Sequence, residues 1–258
     1  MSKNSDAAAR ERLVARAAQG SFLAGLVVLW YLATNAWDVS PLLLPKPQAV
    51  MRELGSVLRS GEFVGDLRIT LGELGAAFAI SATGGLVLGY CVSQSRYWTR
   101  VLEPLLSAVY AIPIILFLPL YVLFFGLGPA SKIALGATIS FFPIALSTVA
   151  GFASVEPIYV TAARSMGCSS YQLFRWVLLP AALPVILTGL RMGFTVALLA
   201  ILASETISSV AGLGHRIVSL GENMHMARMF AYILFVVAIA VSLNAVVSAL
   251  ELRGRRTY

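Results

Sequence analysis

The chain has 258 residues, of which 59% are apolar and only 12% charged, and its mean hydropathy is +0.84. That composition excludes a soluble domain of this length and defines a polytopic, all-α membrane protein. The formal net charge of +7 accompanies no basic soluble segment, so it points to membrane topology and anionic lipid headgroups rather than to nucleic acid.

A hydrocarbon core about 30 Å thick takes about 20 largely apolar residues per helix. The sequence supplies six such stretches, near 20–37, 69–93, 105–126, 131–154, 184–209 and 229–250. A basic leader, residues 1–19 with Arg10, Arg12 and Arg16, precedes the first. A cleaved signal peptide is the competing reading. Asn35-Ala36-Trp37-Asp38 lacks a small-x-small cleavage site, however, and Trp37 suits an interfacial anchor, so the first helix is read as uncleaved. The segment after it opens in extended form at Leu44-Pro45-Lys46-Pro47. It continues as an amphipathic pattern, Val50, Leu54, Val57 and Leu58, expected along the membrane surface.

In the second span Ala77, Ser81, Gly85 and Gly89 recur every four residues. Such a ridge of small side chains admits close approach of another helix, here read as packing within the subunit. The third span carries Pro113 and Pro119 inside it, with Pro104 and Pro129 at its ends, and Pro143 lies in the fourth. Each interior proline frees a carbonyl and bends its helix, which serves a fixed kink or a gate equally well.

Between the fourth and fifth spans lies a polar island, Pro157 to Pro184, with Arg164, Gln172 and Arg175 among small residues. Gly167 suits the end of a first helix, and Pro180 and Pro184 the start of the next. The fifth span carries charge at membrane depth, where each ion costs roughly 2.5–3.5 kcal/mol at mid-helix on the lenient scales. At 100° per residue Arg191, Thr195, Leu198, Leu202 and Glu205 fall on one stripe, a candidate path lining. Its two charges stand about 21 Å apart along the helix, so each needs its own partner. Glu73 or Arg68 is the expected partner of Glu205, and helix-end carbonyls near Pro184 that of Arg191. A turn at Ala211-Gly212-Leu213-Gly214 and a short helix, His215 to Asn223, lead into the last span and a basic tail, residues 251–258.

Six spans with the leader inside put both termini and the 155–183 loop in the cytoplasm. Lys3, Arg10, Arg12, Arg16, Arg96, Arg100, Arg164, Arg175, Arg253, Arg255 and Arg256 then lie inside. Lys46, Arg52, Arg59, Arg68, Lys132, Arg216 and Arg228 lie outside, accompanied by acids. Cys91, Cys168, His215 and His225 lack metal-ligand spacing, so no metal site is expected.

The island resembles the cytoplasmic loop of permease subunits of binding-protein-dependent ABC importers, whose pattern is Glu-Ala-Ala, three residues, Gly, and later a hydrophobic-Leu-Pro. Here it stands as Thr161-Ala162-Ala163, Gly167 and Leu179-Pro180, with Thr161 in place of the acid. Leu44-Pro45-Lys46-Pro47, Ala111-Ile112-Pro113, Phe141-Phe142-Pro143-Ile144, Gly189-Leu190-Arg191 and Ser204-Glu205-Thr206-Ile207 with Gly212-Leu213-Gly214 extend the likeness. Together they resemble the nitrate, sulfonate, taurine and bicarbonate branch. The resemblance implies a type I importer permease fold: one transmembrane domain, residues 1–258, in the bacterial inner membrane. Two permease copies would form the path for a small solute, expected to be an anion, delivered by a periplasmic binding protein. Two ATP-binding subunits would engage a coupling helix made of Val160, Thr161, Ala162, Ala163, Arg164, Ser165, Met166, Gly167 and Cys168.

This chain has no GxxxxGK[ST] stretch, so ATP and magnesium belong to the partner subunits and no cofactor is expected here. An ion-gradient transporter is the alternative class, usually longer and built of repeated halves, and no repeat is evident. A membrane enzyme finds no support, since neither His-Glu-x-x-His nor Gly-x-Ser-x-Gly occurs. Within the family, importers of vitamin or pyrimidine precursors stand beside importers of anions.

Overall fold

A computed structural model describes residues 2–36 and 39–256, without the side chains of residues 2–16, Gln19, Leu23 and residues 253–256. Trp37, and the side chains of Lys3, Arg10, Arg12, Arg16, Arg253, Arg255 and Arg256 used in the charge argument, therefore lie outside the described residues.

Every regular element among the described residues is helical: α1 (Ser2–Asn35), α2 (Pro47–Ser60), α3 (Phe63–Ser93), α4 (Arg96–Tyr110), α5 (Leu118–Phe125), α6 (Pro129–Ala153), α7 (Pro157–Ser165), α8 (Ser170–Leu173), α9 (Leu179–Ile207), α10 (Leu213–Glu222) and α11 (Met226–Arg256). Four stretches are long and apolar enough to cross a membrane: α3, α6, Ser170–Ile207 and Met226–Leu252. The apolar part of α1, Gly20–Asn35, is shorter than the about 20 residues that a perpendicular span needs.

The third expected span, 105–126, is a broken pair: α4 and the run from Ile114 to Phe125 meet at a bend of 67°. Pro113 causes the break. It has no N–H for the Val109 carbonyl, which instead accepts from Ile112 N–H at 3.1 Å in a tight final turn. Pro119, by contrast, sits in the first turn of α5, where a missing N–H leaves nothing unsatisfied. The fifth span also differs from expectation, for its helix begins at Ser170 and not at Pro180 or Pro184. Ser169 and Gln172 form a reciprocal cap, Gln172 N–H to Ser169 Oγ at 3.3 Å and Ser169 N–H to Gln172 Oε1 at 2.8 Å. One wide π-type turn, Phe174–Leu178, then carries the chain into Pro180. That turn lets the helix continue past a proline that lacks an N–H for the Trp176 carbonyl.

The chain forms two compact units, Met1–Gly61 with Ser219–Ile233, and Glu62–Val218 with Leu234–Tyr258. In the first, Trp30 Nε1–H donates to the Pro45 carbonyl at 3.0 Å and its ring lies 6.4 Å from Phe230. The amphipathic pattern becomes α2, started by Pro47, with Val50 and Val57 buried and Leu58 exposed.

In the second unit α6 packs between α3 and α9. The small ridge of α3 faces α6: a Cβ added at Gly85 would lie 2.9 Å from Ile144 Cγ2, and one at Gly89 2.5 Å from Thr148 Cβ. A second ridge on α9, Gly189 and Gly193, meets Ser147 and Ile144 from the other side. Backbones approach closely on both faces of α6, which is how membrane helices associate without a hydrophobic driving force between them. At one end of this packing Tyr90, Phe152 and Phe174 join α3, α6 and the wide turn, with centroid separations of 4.9–6.2 Å.

Candidate functional site

The polar island folds into the short helix α7 and its turn. Pro157 starts α7 after an extended Glu156, and a Schellman cap ends it. Cys168 N–H donates to Ala163 O at 3.2 Å, Gly167 N–H to Arg164 O at 3.0 Å, and Gly167 has φ +76°. Only a residue without Cβ adopts that left-handed conformation freely. Of the predicted coupling residues, Ala163 is buried, Val160 and Cys168 are half-buried, and Thr161, Ala162, Arg164, Ser165, Met166 and Gly167 are exposed. Ile158, Tyr159 and Met166 add exposed apolar surface, Met166 at 76%. Thr161, at the position of the family acid, donates its hydroxyl to the Pro157 carbonyl at 3.0 Å, one turn back on its own helix.

The predicted stripe of α9 divides into two environments. Arg191 and Thr195 line a cavity of about 320 Å³ with Thr188 and Asn244. Arg191, its side chain 43% exposed, pairs with Glu251 Oε2 at 3.3 Å, and Thr188 Oγ1 donates to Glu251 Oε1 at 3.1 Å. The partner of Arg191 is thus a carboxylate of α11 and not the helix-end carbonyls near Pro184. Leu198 and Leu202 pack instead with Leu74, Phe194, Ala240 and Leu243.

Glu205 is buried in a polar cluster that sequence reasoning did not assemble. Its Oε1 accepts from Thr70 Oγ1 at 2.7 Å and its Oε2 from Gly214 N–H at 2.8 Å. Thr70 Oγ1 also accepts from Leu213 N–H at 3.0 Å. Beside it lies a buried ion pair, Lys132 Nζ to Glu73 Oε1 at 2.8 Å, with the two side chains only 2% exposed. Lys132 Nζ donates further to Ser209 Oγ at 2.7 Å, and that hydroxyl donates to Ala211 O at 2.6 Å. Asp66 closes the group, Oδ2 accepting from Arg216 Nε at 3.1 Å and Oδ1 from Gly212 N–H at 3.4 Å.

The cluster explains the Ser204-Glu205-Thr206-Ile207 and Gly212-Leu213-Gly214 pattern. A Cβ on Gly212, at φ +109°, would collide with the Glu205 carboxylate, and one on Gly214 would stand 2.6 Å from the Leu202 carbonyl. Glycine at both positions leaves the carboxylate room to accept directly from the Gly214 N–H. Lys132, counted among the outside charges, is an internal ion paired with Glu73. The signal was present in the sequence: Glu73 and Glu205 are lone acids, and Lys132 a lone base, within apolar helix windows. Among the described residues no group of three or more His, Cys, Asp or Glu stands close enough to hold a metal ion.

The architecture is that of a type I ABC importer permease. A structure described as an amino acid ABC transporter with histidines aligns at a TM-score of 0.62 and 23% identity, over 80% of this chain and 98% of that one. Residues 81–256 match the family of binding-protein-dependent transport system inner membrane components, and the chain belongs to that family. It is 34% identical over 236 residues to the taurine transport system permease protein TauC of Escherichia coli (strain K12), covering 90% of this chain and 86% of the relative. It is also 34% identical over 199 residues to the formylaminopyrimidine transport permease protein ThiX of Halalkalibacterium halodurans, covering 75% and 77%. The chain is therefore a multi-pass transport subunit of a family that works with ATP-binding and solute-binding partners.

Proposed function

We propose that this chain forms, with a second copy of itself, the translocation path of an inner-membrane importer for a small anion of the sulfonate class. The capped helix α7 carries this reading: a rigid, mostly exposed nine-residue helix set between two spans of a permease. Residues 1–258 act as one permease domain with both termini and α7 on the cytoplasmic side. Val160 to Cys168 engage a groove of an ATP-binding subunit, which alone uses ATP and magnesium. Closure of the ATPase pair moves α7, and the spans exchange inward-open and outward-open states.

The path runs along the α9 stripe. Arg191 and Thr195 form its open part, while Leu198, Leu202 and Glu205 continue it outward, covered in this conformation. The cation Arg191 at a cavity with hydroxyl and amide groups, and the likeness to a taurine permease, support an anion. The likeness to a formylaminopyrimidine permease makes a neutral or cationic heterocycle the competing cargo. Reconstitution with the cognate ATP-binding subunits and binding protein tests the assignment: taurine and short alkanesulfonates should stimulate ATP hydrolysis and formylaminopyrimidine should not. The reverse pattern overturns the anion assignment.

A further inference from the structure

A second cavity, of about 550 Å³, lies where the end of α3, the start of α4 and α7 meet. Arg96, Arg100 and Arg164 line it, and no Asp or Glu does. All three arginines are exposed, and none forms an ion pair among the described residues. The hydroxyls in its wall are already committed: Ser93 Oγ donates to Tyr90 O at 2.7 Å, Thr99 Oγ1 to Val92 O at 3.2 Å, and Thr161 Oγ1 to Pro157 O. Free donor capacity therefore resides in three guanidinium groups, the side chain best matched to phosphate oxygens. Tyr97 and Trp98, between two of these arginines, are 67% and 51% exposed, as aromatic anchors at a membrane–water boundary are. The cavity opens at the end of α3, a helix long and apolar enough to cross a membrane.

We propose that this cavity binds the phosphate of an anionic phospholipid headgroup, which braces α7 against the junction of α3 and α4. The inference rests on the membrane-spanning reading, but neither on the cargo nor on ATPase coupling. Three cations facing an anionic headgroup favour it over a zwitterionic one by roughly fivefold each, on the order of a hundredfold together.

The test uses the purified full-length chain. Native mass spectrometry with phosphatidylglycerol and phosphatidylcholine should show a retained phosphatidylglycerol in the wild type that falls at least about tenfold in R96Q/R100Q/R164Q. In nanodiscs, brominated phosphatidylglycerol should quench wild-type tryptophan fluorescence more than brominated phosphatidylcholine, and R96Q/R100Q should lose that difference. The quenching comparison stands even where the triple variant fails to fold. Equal retention by wild type and variant, equal quenching by the two lipids, or displacement by millimolar inorganic phosphate overturns the proposal, the last by identifying a soluble-anion site. So does an R96Q/R100Q variant that keeps its lipid yet loses its ATP-binding subunit, since those two arginines would then serve that partner's acids.

Discussion

Replacing Lys132 with Met should destabilise the protein far more than removing the whole ion pair. Lys132 Nζ and Glu73 Oε1 stand 2.8 Å apart with both side chains buried. At an effective dielectric of about 20 their attraction is about 6 kcal/mol, and desolvation of the two ions offsets most of it. The intact pair is thus near neutral in stability, but K132M leaves Glu73 buried without its cation, next to Glu205, at a cost of about 3–5 kcal/mol. K132M/E73M replaces both ions with apolar side chains of similar volume and should regain most of that loss. At about 2–4 °C per kcal/mol for a chain of this order of size, the single variant should melt roughly 6–20 °C lower. The double variant should return to within a few degrees of wild type. Thermal unfolding of detergent-purified protein, followed by intrinsic fluorescence, reads both. If K132M melts within about 2 °C of wild type, or if K132M/E73M is no more stable than K132M, the buried-pair argument is wrong.

Gly89→Ala should lower stability by about 1–3 kcal/mol through overpacking, because its Cβ would stand 2.5 Å from Thr148 Cβ and 2.8 Å from the Ala145 carbonyl. Gly72→Ala on the same helix meets nothing within 4 Å and should be neutral or stabilising by up to about 1 kcal/mol, and parallel melting curves compare the two. Gly167→Val should cost about 1–2 kcal/mol locally at the left-handed turn. It should lower the melting temperature by no more than about 2–8 °C, because no atom lies within 4 Å of an added Cβ and the strain is confined to the turn itself. Substrate-stimulated ATP hydrolysis and ATPase association should fall in the assembled transporter, and wild-type values of both would remove α7 from coupling. Arg191→Gln takes the cation from the Glu251 carboxylate, which is only 7% exposed but keeps its bond from Thr188, so it should cost about 1–3 kcal/mol and lower the melting temperature by roughly 2–12 °C. Uptake into proteoliposomes should nevertheless drop at least about tenfold, and uptake at the wild-type rate would place Arg191 outside the path.

Hydropathy made the membrane class and most of the spans legible, because burial in lipid demands long apolar runs whatever the packing. The α3 ridge was legible for a related reason: small residues four apart in an apolar helix have little use except close approach. Pro113 and Pro119 could not be told apart, since the same residue breaks a helix where a carbonyl needs its N–H and starts one where none does. The wide turn at Phe174–Leu178 hid the true start of the fifth span, because prolines ordinarily mark starts and here the helix passes through. Glu205 was legible as a charge requiring a partner, but its bonds run to the Thr70 hydroxyl and a backbone N–H, donors that charge matching does not consider.

The ion pairs also bear on the balance of charge. Two cations counted on one side, Lys132 and Arg216, are bound to Glu73 and Asp66, so they contribute little to the field felt by lipid headgroups. On the side that carries α7, Arg96, Arg100 and Arg164 have no carboxylate partner among the described residues. Three cations without a carboxylate partner among the described residues therefore stand together beside α7. Thr161 fits this setting. An acid at that position would line the same cavity as the three arginines and neutralise them from within, whereas a threonine bonded to its own helix leaves their charge facing outward.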